Sequence, residues 1–410
     1  MIINTCSGNS YTYLQQTNEI VGGVAESDNF VWTFEPLKTF SDLPNVDTYI
    51  ISITEQCNLR CTYCCYSGDY KNNRKHSTSL MSTKDIDEVF GYIQVHCKKD
   101  SLKVAFYGGE PLTNSSTLRY AILKARAIWG NAVEISVSTN GVLLTKDKVD
   151  WLVEQNVRLD ISIDGGKYTH DSQRKDIIGN GSFEKIYAAI SYINKKHPSF
   201  FKENVLLLMT LVSLSSLEQI AEEWHNDTIL KKLPPTKISS ISPNFAKGVP
   251  LVDYDEQVLR YIRLLDIYEV HRDWLVLKVF FDQCIAYWLN RPIIKVDGLV
   301  PMSTCLPKTN KLYIDSNKHI SVCEKFCDKY PIGTINDGVD WEIANNIVKG
   351  YFGKRKDRCG TCPAIRMCNL CLTAVEYIDK EWDVLCHNER TYTKVCFRLF
   401  CEMAERGLIG

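Results

Sequence analysis

The chain has 410 residues, 45% hydrophobic and 24% charged, which is the composition of an ordinary globular protein. Its 48 basic and 49 acidic residues nearly balance, so bulk charge attracts neither nucleic acid nor an anionic membrane surface. No apolar run approaches the roughly 18 residues of a membrane-spanning helix, and the first residues lack the basic and apolar segments of a secretion signal. We therefore expect a cytoplasmic protein with no nucleic-acid or membrane partner.

The first 46 residues predict a small N-terminal β-hairpin module. Between residues 10 and 35, β-branched and aromatic residues flank Thr-Asn and Gly-Gly pairs, which are typical of turns. This segment is followed by a different pattern, so we place a boundary at residue 46.

Residues 47–295 alternate between β-rich apolar runs and amphipathic segments. The apolar runs are residues 49–54, 103–109, 133–141, 158–165, 205–212 and 237–245, and the clearest predicted helices are residues 83–97, 145–155 and 182–196. Six β-then-α units in series predict a parallel sheet, either open or closed into a partial barrel. In such folds the functional residues lie at the carboxyl ends of the strands.

Polar motifs stand where the first four predicted strands end. A cysteine cluster follows the first strand, "GGEP" ends the second, "STNG" the third and "SIDG" the fourth. Because the carboxyl ends of parallel strands share one edge, these motifs are expected to converge. As isolated motifs, "STNG" and "SIDG" are also explained as simple strand-ending turns.

The chain has 17 cysteines, many of them in two groups. In a reducing cytoplasm clustered cysteines favour metal sites over disulfides. The β-then-α alternation stops after a helical stretch at 253–290, and from residue 300 the sequence is rich in turns and cysteines. We predict a second, cysteine-rich domain at 296–395 and a C-terminal helix at 396–410.

The first group, Cys57, Cys61 and Cys64, has the spacing C-x3-C-x2-C. Three thiolates leave one iron of a four-iron cluster open to a substrate or cofactor, whereas a structural zinc site requires four ligands. Cys65 is poorly suited as the fourth ligand because adjacent residues point in different directions, and we interpret it as a buried or loop thiol. Spacing alone leaves zinc as an alternative.

This motif, with an aromatic residue before its last cysteine and with "YGGEP", "STNG" and "SIDG" after it, resembles the radical SAM superfamily over about residues 47–290. The resemblance implies an α/β fold, a partial (β/α)6 TIM-like barrel of the radical SAM type. It also implies one 4Fe-4S cluster that binds S-adenosyl-L-methionine (SAM) and reduces it, which yields methionine and a 5′-deoxyadenosyl radical.

The same resemblance assigns roles to side chains near the cofactor. Glu110 is expected to pair with the methionyl ammonium, Ser138 and Asn140 to contact the ribose, and Ser162 and Arg174 to contact the ribose and the methionyl carboxylate. The full set of predicted cofactor-binding residues is Tyr63, Gly108, Gly109, Glu110, Ser138, Asn140, Ser162 and Arg174.

The second group resembles the SPASM domain over about residues 300–395. It consists of Cys305, Cys323, the run C-x2-C-x5-C-x2-C from residue 359 to residue 371, and Cys386. By itself the run is equally typical of a zinc ribbon. The resemblance implies two auxiliary 4Fe-4S clusters, one held by Cys359, Cys362, Cys368 and Cys386 and the other by Cys305, Cys323 and Cys371.

Two departures from the SPASM pattern concern the second of these clusters. The family usually has C-x3-C where this chain has Cys368-x2-Cys371, and no extra cysteine follows Cys305 closely. The fourth iron of that cluster is therefore either bound by Cys327 or left open. An open iron would suit capture of a substrate thiolate.

Both resemblances imply a radical SAM/SPASM peptide maturase, a class of oxidoreductase. We expect it to take hydrogen from a ribosomally made precursor peptide and to form an intrapeptide thioether or carbon-carbon crosslink. The alternatives are oxidation of Ser or Cys to formylglycine, as in anaerobic sulfatase maturases, and a non-catalytic iron-sulfur or zinc scaffold that binds peptides.

The expected partners are the precursor peptide, a flavodoxin or ferredoxin as electron donor, and a separate leader-recognition protein. The last is one of two options, because 46 residues are too few for a complete peptide clamp. Either the hairpin at 10–35 is a reduced clamp, or a separate protein recognises the leader. Glu324, next to Cys323, is the candidate proton acceptor, with a solvated turn carboxylate as the alternative.

Overall fold

The computed structural model describes residues 1–25, 30–41, 46–70, 73–241, 250–300, 305, 310–325, 331–372 and 379–409. They form two compact units. The first contains residues 1–39, 247–304 and 346–410, and the second contains residues 40–246 and 305–345. None of the helices in these described ranges is long and apolar enough to cross a membrane.

The strands and helices are numbered in chain order. The strands are β1 (Ile2–Asn4), β2 (Ser10–Leu14), β3 (Glu19–Gly22), β4 (Thr33–Phe34), β5 (Thr48–Thr54), β6 (Leu102–Gly108), β7 (Val133–Thr139), β8 (Arg158–Ser162), β9 (Val205–Leu211), β10 (Pro235–Ser240), β11 (Gly298–Leu299), β12 (Lys311–Ile314), β13 (His319–Ser321), β14 (Gly333–Thr334) and β15 (Gly338–Val339). The helices are α1 (Thr83–His96), α2 (Ser115–Trp129), α3 (Lys146–Glu154), α4 (Lys167–Gln173), α5 (Phe183–Lys196), α6 (Pro198–Asn204), α7 (Leu217–Asn226), α8 (Tyr254–Val270), α9 (Leu275–Asn290), α10 (Trp341–Cys359) and α11 (Asp379–Glu405).

The second unit is built on a ten-stranded sheet with the order β10-β9-β8-β7-β6-β5-β12-β13-β14-β15. Strands β5 to β10 are parallel and lie in sequence order, which confirms the predicted α/β fold with six parallel strands. The part of strand β10 predicted at residues 242–245 lies outside the described residues. Strand β12 joins β5 in parallel, and β13 to β15 continue the sheet in antiparallel pairs.

Residues of strands β6 and β9 alternate between buried and half-buried positions. Side chains of successive strand residues point to opposite faces, so one face packs in the core while the other keeps contact with solvent. The buried face includes Val104, Phe106 and Leu207, each fully buried. The half-buried face can therefore line a cavity.

The helices that follow these strands have buried apolar stripes, as their sequence periodicity predicts. Helix α1 begins at Ser82, whose hydroxyl accepts a hydrogen bond from the Asp85 amide while the Asp85 carboxylate accepts one from the Ser82 amide. Thr145 caps α3 in the same way, since its hydroxyl accepts a hydrogen bond from the Lys148 amide. Ser182 precedes α5 without capping it, because its hydroxyl donates to the carbonyl of Arg174 instead.

In the first unit, β2 and β3 form the predicted hairpin near the N-terminus, with Asn18 in the left-handed conformation at its turn. Strand β1 pairs with β2 to make a three-stranded sheet, and β4 pairs with β11. Helices α8 and α9 occupy the predicted helical stretch. Helix α11 begins well before the C-terminal helix predicted at 396–410 and ends at Glu405. The predicted domain boundaries stay a prediction.

Gly108 ends β6 where the chain passes very close to β5. Its φ is +142°, and a Cβ at this position would lie 2.1 Å from the Thr54 carbonyl oxygen. We expect Gly108→Ala to lower the free energy of unfolding by more than about 1 kcal/mol, since the backbone would have to move. Urea denaturation measures the change.

The matched control is Gly91→Ala, at an exposed position inside α1 where an added Cβ meets no atom within 4 Å. Alanine is the better helix former, so this variant is expected to be more stable by about 0.5–1 kcal/mol. Equal stability of the two variants would contradict the close approach at Gly108.

Candidate functional site

A cavity of about 410 Å³ opens at the carboxyl ends of the parallel strands. This volume suits a small-molecule ligand. Of the residues predicted to surround a cofactor or its cluster, the following line the cavity: Cys57, Cys61, Tyr63, Cys64, Gly108, Gly109, Ser138, Asn140, Ser162 and Arg174. The strand-end motifs therefore meet in one place.

Two glycines let the chain leading to the cysteines lie against the end of β6. A Cβ on Gly109 would come within 2.2 Å of the Gln56 carbonyl oxygen. The Gly109 amide donates to the Thr54 carbonyl at 2.9 Å, and the Glu110 amide donates to the Gln56 carbonyl at 2.7 Å. These glycines thus allow the end of β6 to lie close to the backbone of residues 54–56.

Glu110 is fully buried and does not line the cavity. Its carboxylate accepts hydrogen bonds from the Thr139 hydroxyl at 2.7 Å, the Asn140 amide at 2.7 Å and the Leu112 amide at 3.1 Å. Burial raises the pKa of Glu110, and these hydrogen bonds oppose that effect. In this arrangement Glu110 holds the "STNG" turn, and its predicted contact with a ligand ammonium stays a prediction.

Arg174 is held by a buried carboxylate. Its Nε lies 2.7 Å from Oδ2 of Asp164, which is 1% exposed, and the Tyr63 hydroxyl donates to the same oxygen. The Thr210 amide donates to Asp164 Oδ1 at 2.8 Å. Burial disfavours the charge of Arg174, but Asp164 outweighs it and raises the pKa of the guanidinium. Asp164 therefore fixes both Arg174 and Tyr63 at the cavity wall.

Glu324 lines the same cavity, and its side chain is 22% exposed. Its Oε2 lies 3.6 Å from Nζ of Lys311, and its backbone carbonyl accepts a hydrogen bond from Arg74 Nε at 2.8 Å. Burial opposes ionisation, but Lys311, Lys325 and Arg74 together lower the pKa of Glu324. The lowered pKa favours the ionised carboxylate, and the predicted role of Glu324 as a proton acceptor stays a prediction.

Several cavity residues carry no motif and were missed by the sequence analysis. Nε2 of His76 lies 3.5 Å from the Cys64 sulfur, and burial lowers the pKa of this imidazole. The Tyr66 hydroxyl donates to the Tyr107 hydroxyl at 2.9 Å. Cys65, which the sequence predicts to be a buried or loop thiol, also lines the cavity. The placement of Tyr66 directly after the cysteines was the only sequence signal for this group.

Buried Arg74 organises the wall between the cysteine loop and Glu324. Its guanidinium carbon lies 3.9 Å from the ring centroid of Tyr66, and its Nη1 lies 3.0 Å from the Glu55 carboxylate. A guanidinium over an aromatic face and beside a carboxylate is a stabilised arrangement for a buried charge. Arg74 therefore acts as a structural link on this side of the cavity.

The first unit contains a second group of thiols. Cys359, Cys362, Cys368 and Cys386 line one small cavity beside Arg355. Small apolar clusters hold them: Leu370, Trp382 and Leu385 pack against Cys368 and Cys386, and Trp32 and Ile365 pack with Cys359 and Cys362. Nη1 of Arg355, a residue only 1% exposed, lies 3.3 Å from the Cys368 sulfur. These are the four cysteines predicted to close one auxiliary cluster.

The remaining predicted auxiliary ligands are less fully described. Cys305 and Cys323 both lie near Lys311 in the second unit, and the three groups interact electrostatically. Cys371 belongs to the first unit, and Cys327 lies outside the described residues. The ligand set of this cluster stays a prediction.

Comparisons with known proteins bear on the cavity directly. Residues 51–223 match the family model of the Radical SAM superfamily. This range contains the cysteine loop and the strand-end motifs. Residues 51–223 form a radical SAM domain.

Similar proteins extend the likeness beyond the radical SAM domain. The cysteine-type anaerobic sulfatase-maturating enzyme of Clostridium novyi is 25% identical over 77% of this chain and 84% of its own length. A solved structure titled native anSMEcpe with bound AdoMet and Cp18Cys peptide has a TM-score of 0.63 at 19% identity, covering 89% of this chain and all of that one. The structure of Streptococcus suis SuiB bound to precursor peptide SuiA has a TM-score of 0.52 at 15% identity. It covers 80% of this chain and 71% of the SuiB chain.

The cavity of the radical SAM domain fits the cofactors of the family. Cys57, Cys61 and Cys64 supply three thiols from one loop, and burial raises the pKa of Cys57 to about 11 and of Cys64 to about 12, so without metal these thiols are neutral. Among the described residues no three Cys, His, Asp or Glu side chains are grouped as ligands of a single ion.

The Asp164–Arg174 pair gives a testable prediction. Asp164→Asn leaves a buried guanidinium without its counter-charge, which is expected to lower the free energy of unfolding by about 3–5 kcal/mol. Urea denaturation of the purified protein measures this loss. Glu184→Gln is the control, because Glu184 is 71% exposed and its pair with Lys167 is expected to contribute less than about 1 kcal/mol. Losses of equal size would contradict the structural role of Asp164.

Proposed function

We propose that the chain is a radical SAM enzyme that oxidises a Ser or Cys side chain of a peptide or protein to formylglycine. One observation carries the proposal: the three thiols of the cysteine loop and the carboxylate of Glu324, whose pKa is lowered, line the same cavity. Such a cavity can take both a cofactor and the reacting side chain of a substrate. The residues proposed to bind the cofactor are those named from the sequence.

The comparisons support formylglycine formation better than the crosslinking that the sequence analysis placed first. A sulfatase-maturating enzyme matches across 77% of the chain, whereas peptide crosslinking is supported only by the more distant likeness to SuiB. The solved neighbours named above include complexes with peptides, which supports a peptide substrate here. Crosslinking is kept as the second candidate because of the unusual Cys368-x2-Cys371 spacing.

Oxidation of a side-chain CH₂–OH or CH₂–SH group to a carbonyl or thiocarbonyl removes one hydrogen atom, one proton and one electron. When bound, SAM and its cluster supply the 5′-deoxyadenosyl radical that takes the hydrogen atom, and the auxiliary clusters supply an acceptor for the electron. Glu324 accepts the proton from the substrate hydroxyl or thiol. Water then hydrolyses the thiocarbonyl to the aldehyde and releases the sulfur as hydrogen sulfide.

The other cavity residues orient and enclose the reactants. Asp164 holds Arg174 and Tyr63 in place, and Glu110 holds the turn that presents Asn140. Fixed polar groups of this kind lower the barrier because they need not reorganise during the reaction. The proposal also keeps two auxiliary 4Fe-4S clusters, one with four cysteine ligands and one with three and a fourth iron that is bound by Cys327 or open. An electron donor of the flavodoxin or ferredoxin class and a cytoplasmic location remain parts of it.

The direct test is anaerobic incubation of reduced protein with SAM and two peptides. One contains the Ser or Cys of a sulfatase, and the other is a cysteine-containing peptide encoded beside the gene. We expect 5′-deoxyadenosine together with an aldehyde on the sulfatase peptide, detected by mass and by reaction with a hydrazide. A Cys57→Ala/Cys61→Ala variant, which lacks two cluster ligands, is the control and should form neither product.

Other outcomes separate the alternatives. A neighbouring peptide that loses two hydrogens and resists alkylation, with the sulfatase peptide unchanged, would establish crosslinking instead. No 5′-deoxyadenosine from a protein with a full complement of iron would favour the non-catalytic scaffold.

Glu324→Gln tests the proton acceptor. Removal of a general base is expected to slow aldehyde formation by about 100-fold or more, because the substrate proton has no acceptor. SAM cleavage should continue, since that step needs no proton transfer to Glu324. The control is Glu134→Gln, at an exposed carboxylate paired with Lys103. Parallel loss of SAM cleavage and aldehyde formation would mean that Glu324 positions the cofactor and is not the base.

A further inference from the structure

Strand β10 contributes a lysine to the cavity at the carboxyl ends of the parallel strands. Lys237 lines this cavity together with Ser239 of the same strand and Leu208 of β9. Lys237 pairs with Leu208, which in turn pairs with Ser162 of β8, a residue predicted to bind the cofactor. Since neighbouring strands lie about 4.8 Å apart, the backbone of Lys237 is about 10 Å from that of Ser162. The lysine side chain therefore reaches the space beside the predicted cofactor site.

A β-bulge gives Lys237 this position. The register of β10 against β9 shifts between Pro235 and Lys237, because Thr236 is an extra residue, and Lys237 lies opposite Leu208. In regular pairing Thr236 would lie opposite Leu208, and Lys237 would point to the buried face of the sheet. Ile238 occupies that buried face and is 8% exposed. Bulges beside functional sites commonly re-aim a side chain, and this one turns a lysine into the cavity.

The charged groups around the cavity leave Lys237 without a counter-charge. Among the described residues that line the cavity, the basic and acidic side chains are His76, Arg174, Lys237, Glu324 and Lys325. Burial lowers the pKa of His76, so this imidazole is mostly neutral at pH 7. Arg174 is neutralised by the buried carboxylate of Asp164. Lys237 is exposed, and in the described part of the chain it forms no ion pair.

Glu324 does not compensate this lysine, because other cations already surround its carboxylate. Its Oε2 lies 3.6 Å from Nζ of Lys311, and Lys311, Lys325 and Arg74 all act on it electrostatically. Glu324 is also the only carboxylate among the described residues that line the cavity. The cavity therefore carries an excess of positive charge on the side of β10, which favours an anionic group in whatever binds there.

The position of β10 in the sheet indicates which ligand can meet this charge. Strand β10 stands at one end of the strand order, whereas β5, which leads into the cysteine loop, lies five strands away. A peptide is long enough to contact both sides of such a cavity. A lysine on an outer strand also protects a sheet from pairing with other chains, but that role requires neither a bulge nor a place in the cavity.

We propose that Lys237 determines substrate specificity by binding a carboxylate of the peptide, either that of an Asp or Glu side chain near the reacting residue or that of the C-terminus. The inference rests on the proposed function, in which a peptide enters this cavity, and it names the substrate class as an acidic peptide. A bound peptide excludes water from the cavity, which strengthens the attraction between the ammonium and the carboxylate. Lys237 takes part in no bond-forming step.

Direct binding measures this selection. Peptides share the sequence of the sulfatase peptide described above, with a fluorescent label at the N-terminus and an amidated C-terminus. Each carries Asp, Asn or Lys at one of the three positions on either side of the reacting Ser or Cys. Fluorescence anisotropy gives their Kd for the full-length protein loaded with clusters and SAM, without reductant. At one or more positions we expect the Asp peptide to bind about tenfold more tightly than the Asn peptide.

Lys237→Glu tests the residue itself. At the same position the Lys peptide should now bind about tenfold more tightly than the Asp peptide, because the charges of the pair are exchanged. The matched control is Lys232→Glu, at an exposed lysine shortly before β10 that does not line the cavity, and it should keep the wild-type preference. A parent peptide with a free C-terminus identifies the other source, since tighter binding of this peptide alone would assign the carboxylate to the terminus.

Three results would overturn the proposal. The first is equal or undetectable binding of all the peptides, with no effect of the free C-terminus. The second is an unchanged preference for acidic peptides in Lys237→Glu. The third is a variant that keeps this preference but binds SAM more weakly, which would assign Lys237 to the cofactor. Failure of the proposed function looks different, because the acidic peptide would then bind with the expected preference and yield no aldehyde after reduction.

Discussion

The cavity depends on one constraint: the cysteine loop is fixed along both of its edges. On one edge the amides of Gly109 and Glu110 donate to the carbonyls of Thr54 and Gln56. On the other edge two amides of the loop, those of residues 60 and 62, donate to the carbonyls of residues 175 and 173. Three thiols proposed to bind one cluster need a rigid loop, because a flexible loop would lose conformational entropy at every ligand. The glycines at the end of β6 follow from the same requirement.

Much of this arrangement was predictable because its signals are local. The period of apolar residues located six parallel strands, and the rule that such strands share one functional edge brought the strand-end motifs together. Ser82 and Thr145 cap helices as their sequence positions indicate. For the same reason Cys359 and Cys362, which are close in sequence, were easy to group.

The rest depends on contacts between residues far apart in sequence. Nothing near Arg74 in the chain indicates that its guanidinium lies against Tyr66 and Glu55 or that it donates to the Glu324 carbonyl. Glu110 is a second case, since the motif predicts a ligand contact and gives no sign that its carboxylate also accepts hydrogen bonds from the Thr139 hydroxyl and the Asn140 amide. Motifs identify which residues belong to a site, but long-range hydrogen bonds decide what each one contacts.

The parallel pairing of β12 with β5 affects how the chain can be divided experimentally. Strand β5 leads into the cysteine loop, and its second neighbour in the sheet comes from residues 311–314, far along the chain. A fragment that ended before residue 311 would leave β5 as an open edge with unpaired amides and carbonyls, which promotes strand addition from other molecules. The cysteine loop would then sit next to an aggregation-prone edge, so the chain is better studied whole than as an isolated N-terminal fragment.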